Sequence, residues 1–181
     1  MTTPSHHFAR LTRFLHWLMA FMVISMLFIG AGITASVSER HEWLLDLHKP
    51  LGIAILALVI VRIIGRLSSR TPPLPLDLPE WQVAAAKLSH FLLYGLMLVM
   101  PLLGWAMISA AGDPVMLSDA VRLPSLISHN AETYAQLRRA HGYLAYLFFL
   151  TILAHLGAAL FHAWIRRDAV FASMARGTPK R

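Results

Sequence analysis

Ten histidines and no cysteine set the chemistry open to this 181-residue chain. Without thiolates there can be no iron–sulfur cluster, no thiolate zinc site and no covalently attached c-type haem, which needs Cys-x-x-Cys-His. Imidazole remains, as a metal ligand or a proton carrier. His16, His48, His90, His141, His155 and His162 lie within or at the ends of long apolar segments almost free of Asp, Glu and Lys. Ionisable groups at such positions are costly to bury and mark function. His6, His7, His41 and His129 lie in tails or loops and read as solvated.

The spacing is informative. Fourteen residues separate His141 from His155, about 21 Å of helical rise and about 40° short of four full turns. His162 follows seven residues later, within about 20° of the same face. His48 opens its segment at the end where His141 lies. His16 sits about 30 Å from that end of its own segment, near the depth of His155. Two cross-helix pairs at two depths are what two stacked bis-histidine haems require. Neutral imidazole suits haem iron, and two such ligands leave no position for a substrate, so the iron cycles electrons. The expected axial ligands are His16, His48, His141 and His155, with His90 as a competitor near His155. Gly52 follows His48 by four residues on the same helix face, where a missing side chain admits a flat macrocycle. Gly142 and Gly157 carry a weaker form of that signal. Met19, Met22 and Met26 recur at helical spacing and read as packing.

The elements that must hold these groups are long apolar helices. Hydrophobic residues make up 57% of the chain and charged residues 14%, against about 25% charged in an ordinary soluble domain. Apolar segments at about 14–35, 47–67, 84–110 and 140–165 each reach the roughly 20 residues that cross a bilayer. They are too long and continuous for barrel strands. The expectation is an all-α membrane protein: one domain over 1–181, a bundle of four transmembrane helices. Lysine and arginine concentrate at the N-terminus, in the 62–87 connector and at the C-terminus. The other two connections carry Arg40, Lys49, Arg122, Arg138 and Arg139, balanced by acids. The positive-inside rule then places both termini in the cytoplasm. The net charge of +7 reads as topology, not as a nucleic-acid surface. The first segment is longer than a signal-peptide core and reads as a retained span. Pro72, Pro73, Pro75 and Pro79 predict an extended connector between spans two and three. In the outer loop, Asp113-Pro114 marks a turn, and Asn130 is a candidate N-cap that extends the fourth helix about two turns above the membrane. Trp17, Trp43, Trp81, Trp105 and Trp164 read as interfacial anchors.

These residues resemble the bacterial cytochrome b561 family. The resemblance rests on Arg10 to Trp17 (RLTRFLHW), on Leu47-His48-Lys49 followed by Gly52 and Val61-Arg62, and on Thr71-Pro72-Pro73. It continues with His90, Pro101-Leu102-Leu103-Gly104-Trp105, and His141 through His155 to His162. It spans about residues 10–170. It implies a multi-pass inner-membrane protein with two non-covalent haems b that passes electrons between a donor near the periplasmic face and a quinone. Superoxide is a known donor in the family. His48 and His141 would hold the outer haem, and His16 and His155 the inner one. His162 would be the catalytic imidazole beside ubiquinone. The expected partners are lipid, quinone and superoxide or another periplasmic donor, and no nucleic acid. The most concrete reading is a superoxide:ubiquinone oxidoreductase. The alternatives are the cytochrome b anchor of a multisubunit dehydrogenase or hydrogenase, and a histidine-lined metal transporter. The transporter reading is weakened by the lack of intramembrane carboxylates.

Overall fold

The computed structural model describes residues 8–68, 72, 75, 77–118 and 120–175. Four long helices, α1 (Arg10–Ala35), α2 (Glu39–Leu67), α3 (Glu80–Ala111) and α4 (Ala131–Phe161), carry the chain up and down. A π-helical turn (His162–Arg166) and a short helix α5 (Ala169–Ala175) follow α4. Each long helix contains an apolar stretch able to cross a membrane, and only 6–11% of that stretch is buried inside the protein. A soluble bundle would bury far more, so the apolar surface is turned to lipid. Both ends of the described chain meet on one side. Phe8 N donates to Ser173 O and Trp17 Nε1 to Met174 O. We call this the termini end and the opposite side the hairpin end.

α1 packs on α2, α2 on α3, and α3 on α4. The buried face of α1 is Thr12, Leu15, Met19 and Val23, spaced three or four residues apart so that they share one stripe. Met22 and Met26 pack against the central apolar cluster, and Met19 is buried. That cluster takes one buried residue from each long helix: Val23, Ile55, Leu96 and Phe148.

The helices extend beyond their apolar cores. α2 begins at Glu39, eight residues before the apolar run at Leu47, because hydropathy registers the lipid-covered part and not the charged turns above it. Glu39 and Glu42 in its first turn complement the helix dipole. Asn130 caps α4, its Oδ1 accepting from Thr133 N at 2.8 Å. Pro50 and Pro101 sit inside α2 and α3, as membrane helices tolerate. Most of the proline connector at 69–76 lies outside the described residues.

The hairpin end is more ordered than a plain loop. α3 stops at Gly112, left-handed at φ 84°, with Pro114 just beyond. Met116–Ser118 (β1) and Val121–Arg122 (β2) then form a small antiparallel hairpin. Trp105 Nε1 donates to Pro124 O at 3.0 Å, Leu126 N donates to Ser109 Oγ, and Asn130 N donates to Ala110 O. Trp105 thus pins the loop that leads into α4. His41 also departs from expectation. It is half-buried, and its Nδ1 lies 2.9 Å from Ile33 O and 3.1 Å from Ser36 O, closing the α1–α2 turn. Its proximity to that turn, two residues inside α2, supplies carbonyls that a solvated loop residue would not meet.

Candidate functional site

The four helices carry their chemistry at levels about seven residues apart, seven in α1, α2 and α4 and six then eight in α3. Along α1 the order is His16, Val23, Gly30. Along α2 it is His48, Ile55, Arg62. α3 carries His90, Leu96 and Gly104, and α4 carries His141, Phe148, His155 and His162. Seven residues are almost two turns, about 10.5 Å, so successive members stay on one face. The central apolar cluster is therefore a layer between two polar levels.

At the hairpin-end level, His48 of α2 faces His141 of α4, with ring centres 6.3 Å apart and planes at 64°. At the termini-end level, His16 of α1 faces His155 of α4, with centres 6.4 Å apart and planes at 71°. Two imidazoles on opposite sides of one metal, each nitrogen about 2.0–2.1 Å from it, have ring centres about 6.3 Å apart. Either plane can rotate about its metal–nitrogen bond, so the crossed planes fit. His90 of α3 is 5.5 Å from His155, closer than that arrangement allows. Among the described residues, no group of three or more His, Cys, Asp or Glu can hold a metal ion. Each facing pair offers two imidazole nitrogens, which would suit haem iron, whose remaining ligands come with the group.

The surroundings of the rings agree with such a group. His48 Nδ1 and His141 Nδ1 are buried and have no hydrogen-bond partner. An orphaned buried polar atom costs about 1–3 kcal/mol, a cost that a metal bound at that atom would offset. Each ring also rests against a glycine of a neighbouring helix. A Cβ at Gly30 would lie 3.8 Å from His48 Cε1, and one at Gly104 would lie 3.4 Å from His141 Cε1. Sequence reasoning singled out Gly52 instead. A Cβ there would make an ordinary 3.7 Å contact with the Met26 methyl, and one at Gly142 or Gly157 would meet nothing within 4 Å.

The termini-end level also holds Arg62, which sequence reasoning used only for topology and resemblance. Arg62 Nη1 donates to Thr12 O at 3.1 Å, and its Nη2 lies 3.2 Å from His16 Nδ1. The guanidinium stands 5.9 Å from the centre of the Tyr94 ring. The available signal was an arginine within an apolar run, fourteen residues after His48 and hence on its face.

His162 lies beyond His155, at the first residue of the π turn. Its Nδ1 is 2.6 Å from Asp168 Oδ2. Arg166 joins the same carboxylate through Nε at 3.1 Å and reaches Asp77 Oδ2 through Nη2 at 2.7 Å. Burial alone would raise the Asp168 carboxyl. The hydrogen bonds from His162, Val170 N–H and Arg166 outweigh it and hold the carboxyl below its ordinary range. Asp168 was not legible as a partner, because the chain reverses between it and His162.

Comparison with known proteins adds to this geometry. The family model described as prokaryotic cytochrome b561 matches residues 7–177. Cytochrome b561 homolog 1 of Escherichia coli (strain K12) is 29% identical over 173 residues, covering 90% of this chain and 93% of that protein. Cytochrome b561 homolog 2 of the same organism is 28% identical over 158 residues, covering 84% and 82%. A protein of Yersinia pestis named probable superoxide oxidase CybB is 26% identical over 155 residues, covering 85% and 87%.

Proposed function

The chain belongs to the prokaryotic cytochrome b561 family, and from that premise we propose that it moves electrons across the bacterial inner membrane from superoxide to ubiquinone through two haems b. Membership makes it a multi-pass membrane electron carrier that binds haem b. The further detail rests chiefly on one observation: two facing imidazole pairs, at 6.3 and 6.4 Å, on levels fourteen residues apart along α4. In this reading His48 and His141 hold one haem, and His16 and His155 the other. Each haem supplies a one-electron centre closed to substrate. Gly30 and Gly104 leave room beside the hairpin-end ligands, and Gly52 sits one turn below His48.

The hairpin end faces the periplasm, in keeping with the lysine and arginine distribution. There Lys49 follows His48, and Arg138 lies one turn before His141 on its face, beside Arg139. These cations attract an anionic donor locally. The balance is two superoxide anions oxidised to two dioxygen molecules, one electron each, and one quinone taking two electrons and two protons to become quinol. His162 supplies one of the protons at the termini end, and water supplies the other. The superoxide step draws support from the relative named as a superoxide oxidase.

Purified protein in nanodiscs tests the reading. A pyridine haemochrome assay should give two haems b per chain, xanthine oxidase-generated superoxide should reduce them, and a ubiquinone analogue should re-oxidise them. Fewer than two haems removes the paired-ligand assignment. Full haem loading without reduction by superoxide removes the donor and favours an anchor subunit fed by a partner protein.

A further inference from the structure

The exit from α4 is built as a reversal. His162–Arg166 forms a π turn, Arg167 takes a left-handed conformation at φ 55°, and α5 starts at Ala169. Arg167 is the one non-glycine residue with positive φ among the described residues. Such a conformation costs free energy and persists where surrounding contacts over-determine it. Here the reversal returns Asp168 to the residue six positions earlier. Asp168 N donates to His162 O at 3.3 Å, while Asp168 Oδ2 lies 2.6 Å from His162 Nδ1. The two side chains are only 14% and 15% exposed.

Besides His162, two donors hold the carboxylate, and one of them is anchored in turn. Val170 N donates to Oδ1 at 3.0 Å, Arg166 Nε donates to Oδ2 at 3.1 Å, and Arg166 Nη2 ties the assembly to Asp77 in the α2–α3 connector. A carboxylate fixed this firmly against one imidazole nitrogen determines which nitrogen carries the proton.

We propose that Asp168 is the positioning residue of a carboxylate–imidazole dyad at the termini end, holding the Nδ1 proton of His162 so that Nε2 is the atom that exchanges protons with a quinone oxygen. The inference rests on the quinone reading of His162. For each quinone reduced, two superoxide anions supply two electrons, one proton passes from His162 Nε2 to the quinone oxygen that faces it, and water protonates the other oxygen. Water at this end replaces the proton at Nε2, while the Nδ1 proton stays on the ring, hydrogen-bonded to Asp168, throughout. Arg166 acts one step further out, keeping the carboxylate in place.

The test uses full-length, haem-loaded protein and the variants Asp168→Asn, Asp168→Glu and His162→Ala. Three quantities are read: haem content, the rate of ubiquinone-1 re-oxidation after reduction by superoxide, and the ring nitrogen shifts of 15N-histidine protein, with His162 assigned by its loss in His162→Ala. In the parent protein the neutral His162 should show protonated Nδ1. Asp168→Asn should keep both haems and normal reduction, disturb that tautomer and slow re-oxidation about tenfold without changing the half-saturating quinone concentration. Asp168→Glu should recover most of the rate. If His162→Ala slows re-oxidation and Asp168→Asn does not, or if the Nδ1 signal is unchanged in Asp168→Asn, the dyad is overturned while the quinone reading stands. If neither variant slows re-oxidation, the quinone reading falls, and the proton-transfer role of the dyad falls with it.

Discussion

Replacing Arg62 by Met should lower the midpoint potential of the termini-end haem and leave the other nearly unchanged. Arg62 Nη2 is 3.2 Å from His16 Nδ1, so a metal on the opposite nitrogen of that ring lies at most about 8 Å from the guanidinium charge, taking about 2 Å for the metal–nitrogen bond. Reduction adds one negative charge there, and a neighbouring cation favours it. At an effective dielectric of about 20, a unit charge at that distance contributes about 2 kcal/mol, which for one electron is about 90 mV. Arg62 is half-buried near the membrane surface, and solvent screening reduces the expected shift to about 50–90 mV. The other level is about 21 Å further along the bundle, where the same charge changes the potential by less than about 30 mV. Methionine keeps most of the stem volume, so the packing against Tyr94 is largely retained. Arg62→Lys keeps the charge and loses the fork to Thr12 O and His16, and should move the potential far less than Arg62→Met. Spectroelectrochemical titration resolves the two centres. An Arg62→Met protein with both haems bound and a termini-end potential within about 20 mV of the parent would refute the electrostatic reasoning, as would an upward shift.

Three further outcomes are expected. His48→Ala and His141→Ala should each remove one and the same haem, while His16→Ala and His155→Ala remove the other. His90→Ala should retain both, and haemochrome stoichiometry with low-spin spectra on the five variants checks this. Gly104→Ala places its Cβ 3.4 Å from His141 Cε1 and should be tolerated, whereas Gly104→Val must displace the ring and should lose the hairpin-end haem alone, read from the same spectra. Asn130→Ala removes the α4 cap that accepts from Thr133 N and should cost about 1 kcal/mol, seen as a lower melting temperature in detergent with both haems bound at 25 °C.

The parts of this molecule that were legible in the sequence are those written in local periodicity. Four apolar runs gave four helices because lipid demands a continuous apolar surface about 20 residues long. The imidazole faces were legible because His141, His155 and His162 repeat at fourteen and seven residues on one helix, and helical geometry fixes their relation without tertiary information. Asn130 was legible because a cap acts within three residues. Contacts formed across the fold were not. Gly30 and Gly104 touch histidines on other helices; each lies fourteen residues from a histidine of its own helix, but that spacing does not name the ring it meets. Arg62 was assigned to topology, since the positive-inside rule uses only its charge and depth, while its contacts with Thr12 and His16 come from helix pairing. Asp168 was hidden by the π turn, which breaks the helical spacing at the residues that bring it to His162.

The distribution of groups around the bundle follows from α4 alone reaching every level. It places one imidazole at the hairpin-end pair, one at the termini-end pair and one beyond, while α2 and α1 each contribute one facing ring. α3 contributes Gly104 against His141 at one level and His90 beside His155 at the other. A single rigid helix sets the spacing between the levels at about 21 Å, so that spacing does not depend on how neighbouring helices tilt. The capped start of α4, held through Asn130 and the Trp105-pinned loop, therefore fixes the height of the first pair and with it the second. Its other end, where the helix widens into the π turn and Asp168 folds back, is the one place where the face of α4 is re-aimed. In the proposed reading, that is where the chemistry would change from holding a metal, which needs a fixed ring, to exchanging protons with water and a mobile substrate.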